Sequence, residues 1–124
     1  MIVDDLPEIT YTVKYGLEKL NPDYEVIRVE SGKQCLELLS KNQIPDLILL
    51  DIMMPEMNGW ELAKTLKEKI QWKKIPIIFL TATEDETSKI TGKIIAEDFI
   101  EKPFEINDLK NKIDKVLDKQ TPTN

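Results

Sequence analysis

Residues 47–59 read LILLDIMMPEMNG, and the change of pattern within them is the clearest sign of the fold. Its first four residues are aliphatic, which is typical of a strand that is buried on both faces of a parallel sheet. Asn58-Gly59 then opens a helical pattern whose apolar residues recur through Leu66. Asp51 follows the apolar run directly. An unpaired carboxylate there would be costly, so a charge partner or a metal ion should lie nearby.

Short apolar runs alternate with amphipathic segments on both sides of this stretch. The predicted strands cover 1–3, 24–29, 47–50, 75–80 and 99–101, and the predicted helices cover 8–20, 31–39, 58–66, 84–95 and 107–117. Pro7 suits a first helical turn, and Ser31 and Asn107 are expected as helix caps. The alternation predicts an α/β fold, a doubly wound five-stranded parallel sheet in the flavodoxin-like order 2-1-3-4-5 with helices on both faces. Residues 1–118 should form this domain, followed by a polar tail over 119–124.

The composition narrows the class of function. The 124 residues suit one domain, and 17 basic against 23 acidic residues give a formal net charge of −6. That charge argues against direct binding to nucleic acid or to an anionic membrane. Cys35 is the only cysteine, so we expect no internal disulfide and a reducing, cytoplasmic location. The absence of histidine excludes histidine catalysis and histidine metal sites, which leaves a hard cation bound by oxygen.

Acidic residues follow two of the predicted strands. Asp4 and Asp5 come after the first strand, and Asp51 comes after the third. Any one of them would ordinarily cap a helix or face water. In this fold, however, ligands bind beyond the carboxyl ends of strands 1 and 3, where the winding reverses. Clustered carboxylates repel one another unless a cation is present, and Mg²⁺ also coordinates phosphate oxygens readily. The sequence therefore predicts a Mg²⁺ site at this edge.

Two further polar residues follow the fourth and fifth predicted strands. Thr81 follows the fourth strand and Lys102 follows the fifth. Taken alone, the threonine would be a helix cap and the lysine a solvated surface residue. Their joint placement with the acids favours phosphoryl transfer, in which Asp51 is the covalent acceptor. The formal charges of three carboxylates, one lysine and one Mg²⁺ also balance.

Four segments in order resemble the response-regulator receiver domains. They are Val3-Asp4-Asp5, the stretch 50–59, Leu80-Thr81-Ala82 and the stretch 99–104. The resemblance implies that Asp51 is the phosphoacceptor and that Asp4 and Asp5 hold Mg²⁺. It also implies that the backbone carbonyl of Met53 completes the metal shell.

The same resemblance implies a switch. Thr81 and Lys102 would bind the phosphoryl group, and Phe99 would turn inward when Thr81 engages it. The peptide bond between Lys102 and Pro103 would be cis. Met53 and Thr83 stand at positions that tune the phosphoryl lifetime in the family.

The resemblance further implies a circuit of partners. The donor would carry phosphohistidine, and because this chain has no histidine, the donor must be another protein: a histidine kinase or a phosphotransfer protein. Output to an unknown partner would use the face formed by the fourth helix, the fifth strand and the fifth helix. That face would include Ile90, Lys93, Ile94 and Glu101. A phosphorylation-dependent dimer is a further expectation, and no enzyme activity is expected beyond the domain's own phosphorylation and dephosphorylation.

Three other classes of protein fit parts of the pattern. An aspartyl-nucleophile phosphatase of the haloacid dehalogenase type would have a second aspartate two residues after Asp51, where this chain has Met53. A flavin-binding electron carrier would have a Ser/Thr/Gly-rich loop after the first strand, where this chain has Leu6-Pro7-Glu8. A degenerate receiver that acts only as a docking module is a third alternative, and the complete set of site residues argues against it.

Overall fold

The computed structural model describes residues 1–82 and 96–120. In chain order the elements are β1 (Ile2–Val3), α1 (Pro7–Leu20), β2 (Arg28–Val29), α2 (Gly32–Ser40), β3 (Ile48–Asp51), α3 (Gly59–Glu68), β4 (Ile77–Thr81), β5 (Asp98–Glu101) and α4 (Ile106–Gln120). The predicted helix over 84–95 lies outside the described residues, as do Thr83, Ile90, Lys93 and Ile94. Within the described ranges, no helix is both long enough and apolar enough to cross a membrane.

The five strands form one parallel sheet in the order β2-β1-β3-β4-β5, which confirms the predicted fold class and strand order. Val3 pairs with Leu50 across β1 and β3, and Thr81 pairs with Glu101 across β4 and β5. Because all the strands run in the same direction, their carboxyl ends share one edge. Residues that end successive strands are therefore brought to the same side of the molecule.

The apolar core lies on both faces of the sheet. Alternate residues of β3 belong to different clusters: Ile48 and Leu50 pack with α2 and α3, whereas Leu49 packs with α1 and α4. All of them are buried. This arrangement explains why the run before Asp51 is continuously apolar, since a strand covered on both faces has no polar side.

Strand β2 is shorter than the predicted range 24–29 because β1, its only neighbour among the described strands, is itself just Ile2–Val3. Side chains of α1 bind the backbone just before β2. The backbone amide of Val26 donates to Oε2 of Glu18 at 2.8 Å, and its carbonyl accepts from Nζ of Lys14 at 2.9 Å. These two side chains of α1 bind polar backbone groups beside the edge strand of the sheet. They therefore protect this edge from pairing with another chain.

Local signals place the starts of three helices as predicted. Pro7 lies in the first turn of α1. The hydroxyl of Ser31 accepts from the backbone amide of Gln34 at 3.1 Å and caps α2. The side chain of Asn58 accepts from the amide of Glu61 at 2.9 Å and caps α3. Each cap satisfies an amide that would otherwise lack a partner at the end of a helix.

The prediction that Asn107 caps the last helix is wrong. Helix α4 begins at Ile106, so Asn107 lies inside its first turn. The backbone amide of Leu109 already donates to the carbonyl of Glu105 at 3.1 Å, which places the start of the helix before Asn107. The helix also continues past its predicted end at 117.

Candidate functional site

Three carboxylates meet at the edge where β1 and β3 end. One oxygen each from Asp4, Asp5 and Asp51 lies within 4.8 Å of the others. Asp4 is fully buried, Asp51 is 5% exposed and Asp5 is half-buried. The neighbouring positions of β1 and β3 in the sheet account for this convergence.

Lys102 joins two of these carboxylates. Its Nζ lies 2.9 Å from Oδ2 of Asp4 and 3.2 Å from Oδ1 of Asp51. The backbone amide of Lys102 donates to the carbonyl of Thr81 at 2.7 Å, which ties the lysine to the end of β4. The other oxygen of Asp4 accepts from the backbone amide of Leu6 at 3.0 Å. Hydrogen bonds from Lys102 therefore fix the side chains of both buried acids, and the amide of Leu6 fixes that of Asp4 as well.

The electrostatics of the cluster show surplus negative charge. Burial, and then the neighbouring charge of Asp4, raise the pKa of Asp51 from 3.8 to about 6, against the opposing effects of Lys102 and the backbone amide of Met53. Burial also works against the charge of Lys102. The hydrogen bonds and charges of Asp4 and Asp51 outweigh it, so the pKa of Lys102 is raised above its usual value.

The donor set fits a divalent hard cation. Three carboxylates and one ammonium leave a net formal charge of −2, which a divalent ion would balance. All the ligand atoms on offer are oxygens, as Mg²⁺ prefers. Burial is the largest cause of the raised pKa of Asp51 and the charge of Asp4 adds to it, so a divalent ion beside both carboxylates would favour the ionised form of Asp51.

The remaining predicted site residues surround this cluster. Thr81 is buried at the end of β4. Met53 is 67% exposed. Its thioether is a soft ligand that Mg²⁺ does not prefer, so any ligand that Met53 supplies would be its backbone oxygen. Phe99 is half-buried on β5, and its ring stacks on Phe79 with centroids 5.8 Å apart. The peptide bond between Lys102 and the following proline is cis.

Gly59 has a positioning role that its sequence context, at the start of a helix and the end of the stretch 50–59, does not reveal. A Cβ atom at this position would lie 2.3 Å from the carbonyl oxygen of Asp51. The backbone amide of Gly59 also donates to the carbonyl of Ile52 at 2.8 Å. Only glycine allows α3 to approach the backbone of Asp51 this closely. The Asn-Gly pair could have indicated a tight approach, but it could not have identified Asp51 as the neighbour.

Comparisons with known proteins agree with this geometry. The sequence model of the response regulator receiver domain matches residues 1–114. Protein PilH of Pseudomonas aeruginosa is 34% identical over 94% of this chain and 95% of that protein. The response regulator protein TrrA of Thermotoga maritima, solved in complex with Mg²⁺ and BeF, superposes with a TM-score of 0.80 at 32% identity, covering 93% of this chain and 95% of that one. The chain therefore belongs to the response regulator receiver family, the phosphorelay receivers of two-component signalling.

Other relatives are longer than this chain. The transcriptional regulatory protein PhoP of Bacillus subtilis, which controls alkaline phosphatase synthesis, is 33% identical over 94% of this chain but only 47% of its own length. The chain spans half or less of several of the curated relatives that it matches.

Proposed function

We propose that Asp51 accepts a phosphoryl group from a phosphohistidine on another protein, and that Asp4, Asp5 and Asp51 hold the Mg²⁺ ion that this transfer needs. The observation that carries the proposal is the position of Lys102, whose ammonium touches both Asp4 and Asp51. A cation at that point, next to the acceptor, can bind the oxygens of an incoming phosphoryl group. The backbone carbonyl of Met53 would supply a further oxygen ligand.

Each residue has a distinct task in the transfer. An oxygen of Asp51 attacks phosphorus, the bond between phosphorus and the donor's imidazole nitrogen breaks, and the imidazole leaves with the bonding electrons. Lys102 exchanges its contact with Asp51 for one with a phosphoryl oxygen. The hydroxyl of Thr81 donates to another oxygen. Bound Mg²⁺ would supply positive charge that offsets the charge of the three carboxylates and the phosphoryl oxygens.

The consequence of transfer is a shift between two arrangements. Thr81 and Phe99 lie on neighbouring strands, so movement of the hydroxyl toward the phosphoryl group frees space beside β5. Phe99 then turns inward, and the face around β5 and α4 changes its shape for an output partner or for a second copy of the chain. Phosphorylation biases an equilibrium that exists beforehand, because a ligand can only favour a state by binding it better.

The proposed partners follow from the family. A histidine kinase or a phosphotransfer protein is the donor, and the output partner is a protein and not nucleic acid or a membrane, in keeping with the net charge of −6. We place the receiver at residues 1–118, with a polar tail over 119–124, in the cytoplasm. The domain catalyses only its own phosphorylation and dephosphorylation. It can act in this way alone or joined to an output domain, because every residue of the proposed site lies within it.

Beryllofluoride, which mimics a phosphoryl group on aspartate, tests this function directly. With Mg²⁺ present, ¹⁹F NMR should show a saturable signal for the bound species, and EDTA should abolish it. Asp51→Asn should abolish it as well. The exposed Asp23 provides a matched control, so Asp23→Asn should bind like the wild type. Binding that survives Asp51→Asn would refute the assignment of the acceptor.

A further inference from the structure

Three aromatic rings make a continuous contact from β5 to α3. The ring of Phe99 on β5 stacks on that of Phe79 on β4 with centroids 5.8 Å apart and planes at 22°. The ring of Phe79 in turn packs against Trp60 on α3 at 4.6 Å and 51°. Both separations lie in the range of favourable aromatic pairs. Phe79 is fully buried, whereas Trp60 and Phe99 are half-buried.

The residue before Trp60 is in contact with the site itself. Gly59 approaches the carbonyl of Asp51 so closely that no side chain would fit between them. The first turn of α3 therefore approaches the proposed acceptor through the backbone of Gly59. Through the indole of Trp60 it contacts Phe79, the ring on which the proposed switch residue Phe99 stacks. Gly59 and Trp60 are adjacent in the chain, so the two contacts are made by neighbouring residues of α3.

We propose that Trp60 is a positioning residue of the switch, which holds Phe99 through Phe79 and moves when Phe99 moves. This inference rests on the proposed roles of Asp51 and Phe99. It adds the first turn of α3 to the parts of the molecule that change on phosphorylation. A helix surface on the far side of β4 from Phe99 thereby becomes sensitive to the phosphorylation state.

Close packing provides the physical basis of this coupling. Protein interiors leave few voids, so a ring the size of Phe99 cannot turn without a response from the rings that it touches. Phe79 has no solvent to move into, and its other ring contact is Trp60. Because Trp60 is half-buried, a small displacement changes how much of its indole faces water.

The fluorescence of Trp60 measures this coupling, and the chain contains a matched control. Trp72 is the only other tryptophan, and it is buried in the turn between α3 and β4. Trp72→Phe leaves Trp60 as the sole emitter, and Trp60→Phe leaves Trp72. Each variant is titrated with beryllofluoride at saturating Mg²⁺, after the effect of Mg²⁺ alone has been recorded, and binding is followed in parallel by ¹⁹F NMR.

We expect the emission of Trp60 to change with the same midpoint as the ¹⁹F signal, and the emission of Trp72 to stay constant. Adding Phe99→Leu should remove the change while leaving beryllofluoride bound. Emission that stays constant during binding would overturn the role of Trp60, and so would a change that survives Phe99→Leu. A lack of beryllofluoride binding in the wild type would instead refute the proposed function, so the two failures are distinguishable.

A double-mutant cycle separates positioning from simple packing. Trp60→Leu and Phe99→Leu should each alter the affinity for beryllofluoride, and their combined effect should depart from the product of the single effects by about threefold. The conservative Trp60→Phe should restore most of the wild-type value. Independent effects in the cycle would show that Trp60 only fills space, and would overturn the inference.

Discussion

Replacing Asp51 by asparagine should make the metal-free protein more stable. The pKa of Asp51 is raised from 3.8 to about 6, so the folded state disfavours its ionised form. At about 1.36 kcal/mol for each pKa unit, that shift corresponds to a cost of about 3 kcal/mol at neutral pH. Asparagine removes the charge and keeps the shape and one acceptor for Lys102. Because a neutral amide binds the Lys102 ammonium less strongly than a carboxylate does, we expect a smaller net gain of about 2 kcal/mol.

The difference in stability between the wild type and Asp51→Asn should depend on pH. Below about pH 4, Asp51 is protonated in both the folded and the unfolded protein, and the wild type and the variant should be equally stable. As the pH rises from about 4 to about 6, the unfolded carboxyl ionises while the folded one still holds its proton. The wild type therefore loses stability relative to Asp51→Asn across this window, and the full difference is present above about pH 6.

Urea unfolding in EDTA at several pH values measures this difference. Asp23→Asn removes an exposed carboxylate and should leave the stability close to that of the wild type. Mg²⁺ at about 100 times its dissociation constant should stabilise the wild type by about 2.7 kcal/mol and help the Asp51 variant much less. An Asp51→Asn protein that is less stable than the wild type at pH 7 without metal would refute the electrostatic reasoning.

Three further substitutions test other parts of the molecule. Glu18→Ala should cost about 1 kcal/mol in urea unfolding, because the amide of Val26 loses its 2.8 Å acceptor, and Glu18→Gln should retain most of that stability. Gly59→Ala should lower the free energy of unfolding by about 2 kcal/mol and weaken beryllofluoride binding about tenfold, because its Cβ would displace the backbone of Asp51. An unchanged affinity would contradict this close approach. Lys102→Ala should destabilise the metal-free protein by about 2 kcal/mol yet keep Mg²⁺ binding, and loss of Mg²⁺ binding in a magnesium titration would count against the proposed role of the lysine.

The sheet could be predicted from the sequence because the residues of two central strands are continuously apolar. Residues 47–50 and 77–80 are continuously apolar, and only burial on both faces makes that pattern favourable. The edge strand was harder to predict. Its residues were apolar enough for a strand over 24–29, but β1 offers only two residues for pairing, and Lys14 and Glu18 bind the backbone of Val26 outside the ladder. A contact between side chain and backbone across a loop leaves no periodic trace in the sequence.

The functional site could also be predicted only in part. The rule that ligands bind where the winding reverses predicted that Asp4 and Asp51 would lie on one edge, and the structure brings them together. The sequence could not predict that Lys102 is shared between the two carboxylates, because that depends on side-chain distances of 2.9 and 3.2 Å. The approach of Gly59 to Asp51 was also beyond sequence reasoning. It depends on the path of the loop between β3 and α3.

Mass spectrometry of the protein treated with acetyl phosphate and Mg²⁺ would show whether Asp51 is the phosphoacceptor. One phosphoryl group should be found, and reductive cleavage followed by peptide mapping should place it on Asp51. No phosphoryl group should be added when EDTA replaces Mg²⁺ in the reaction or when Asp51→Asn is used. Asp23→Asn should be phosphorylated like the wild type. A phosphoryl group on any other residue, or an equal yield in Asp51→Asn, would contradict the account.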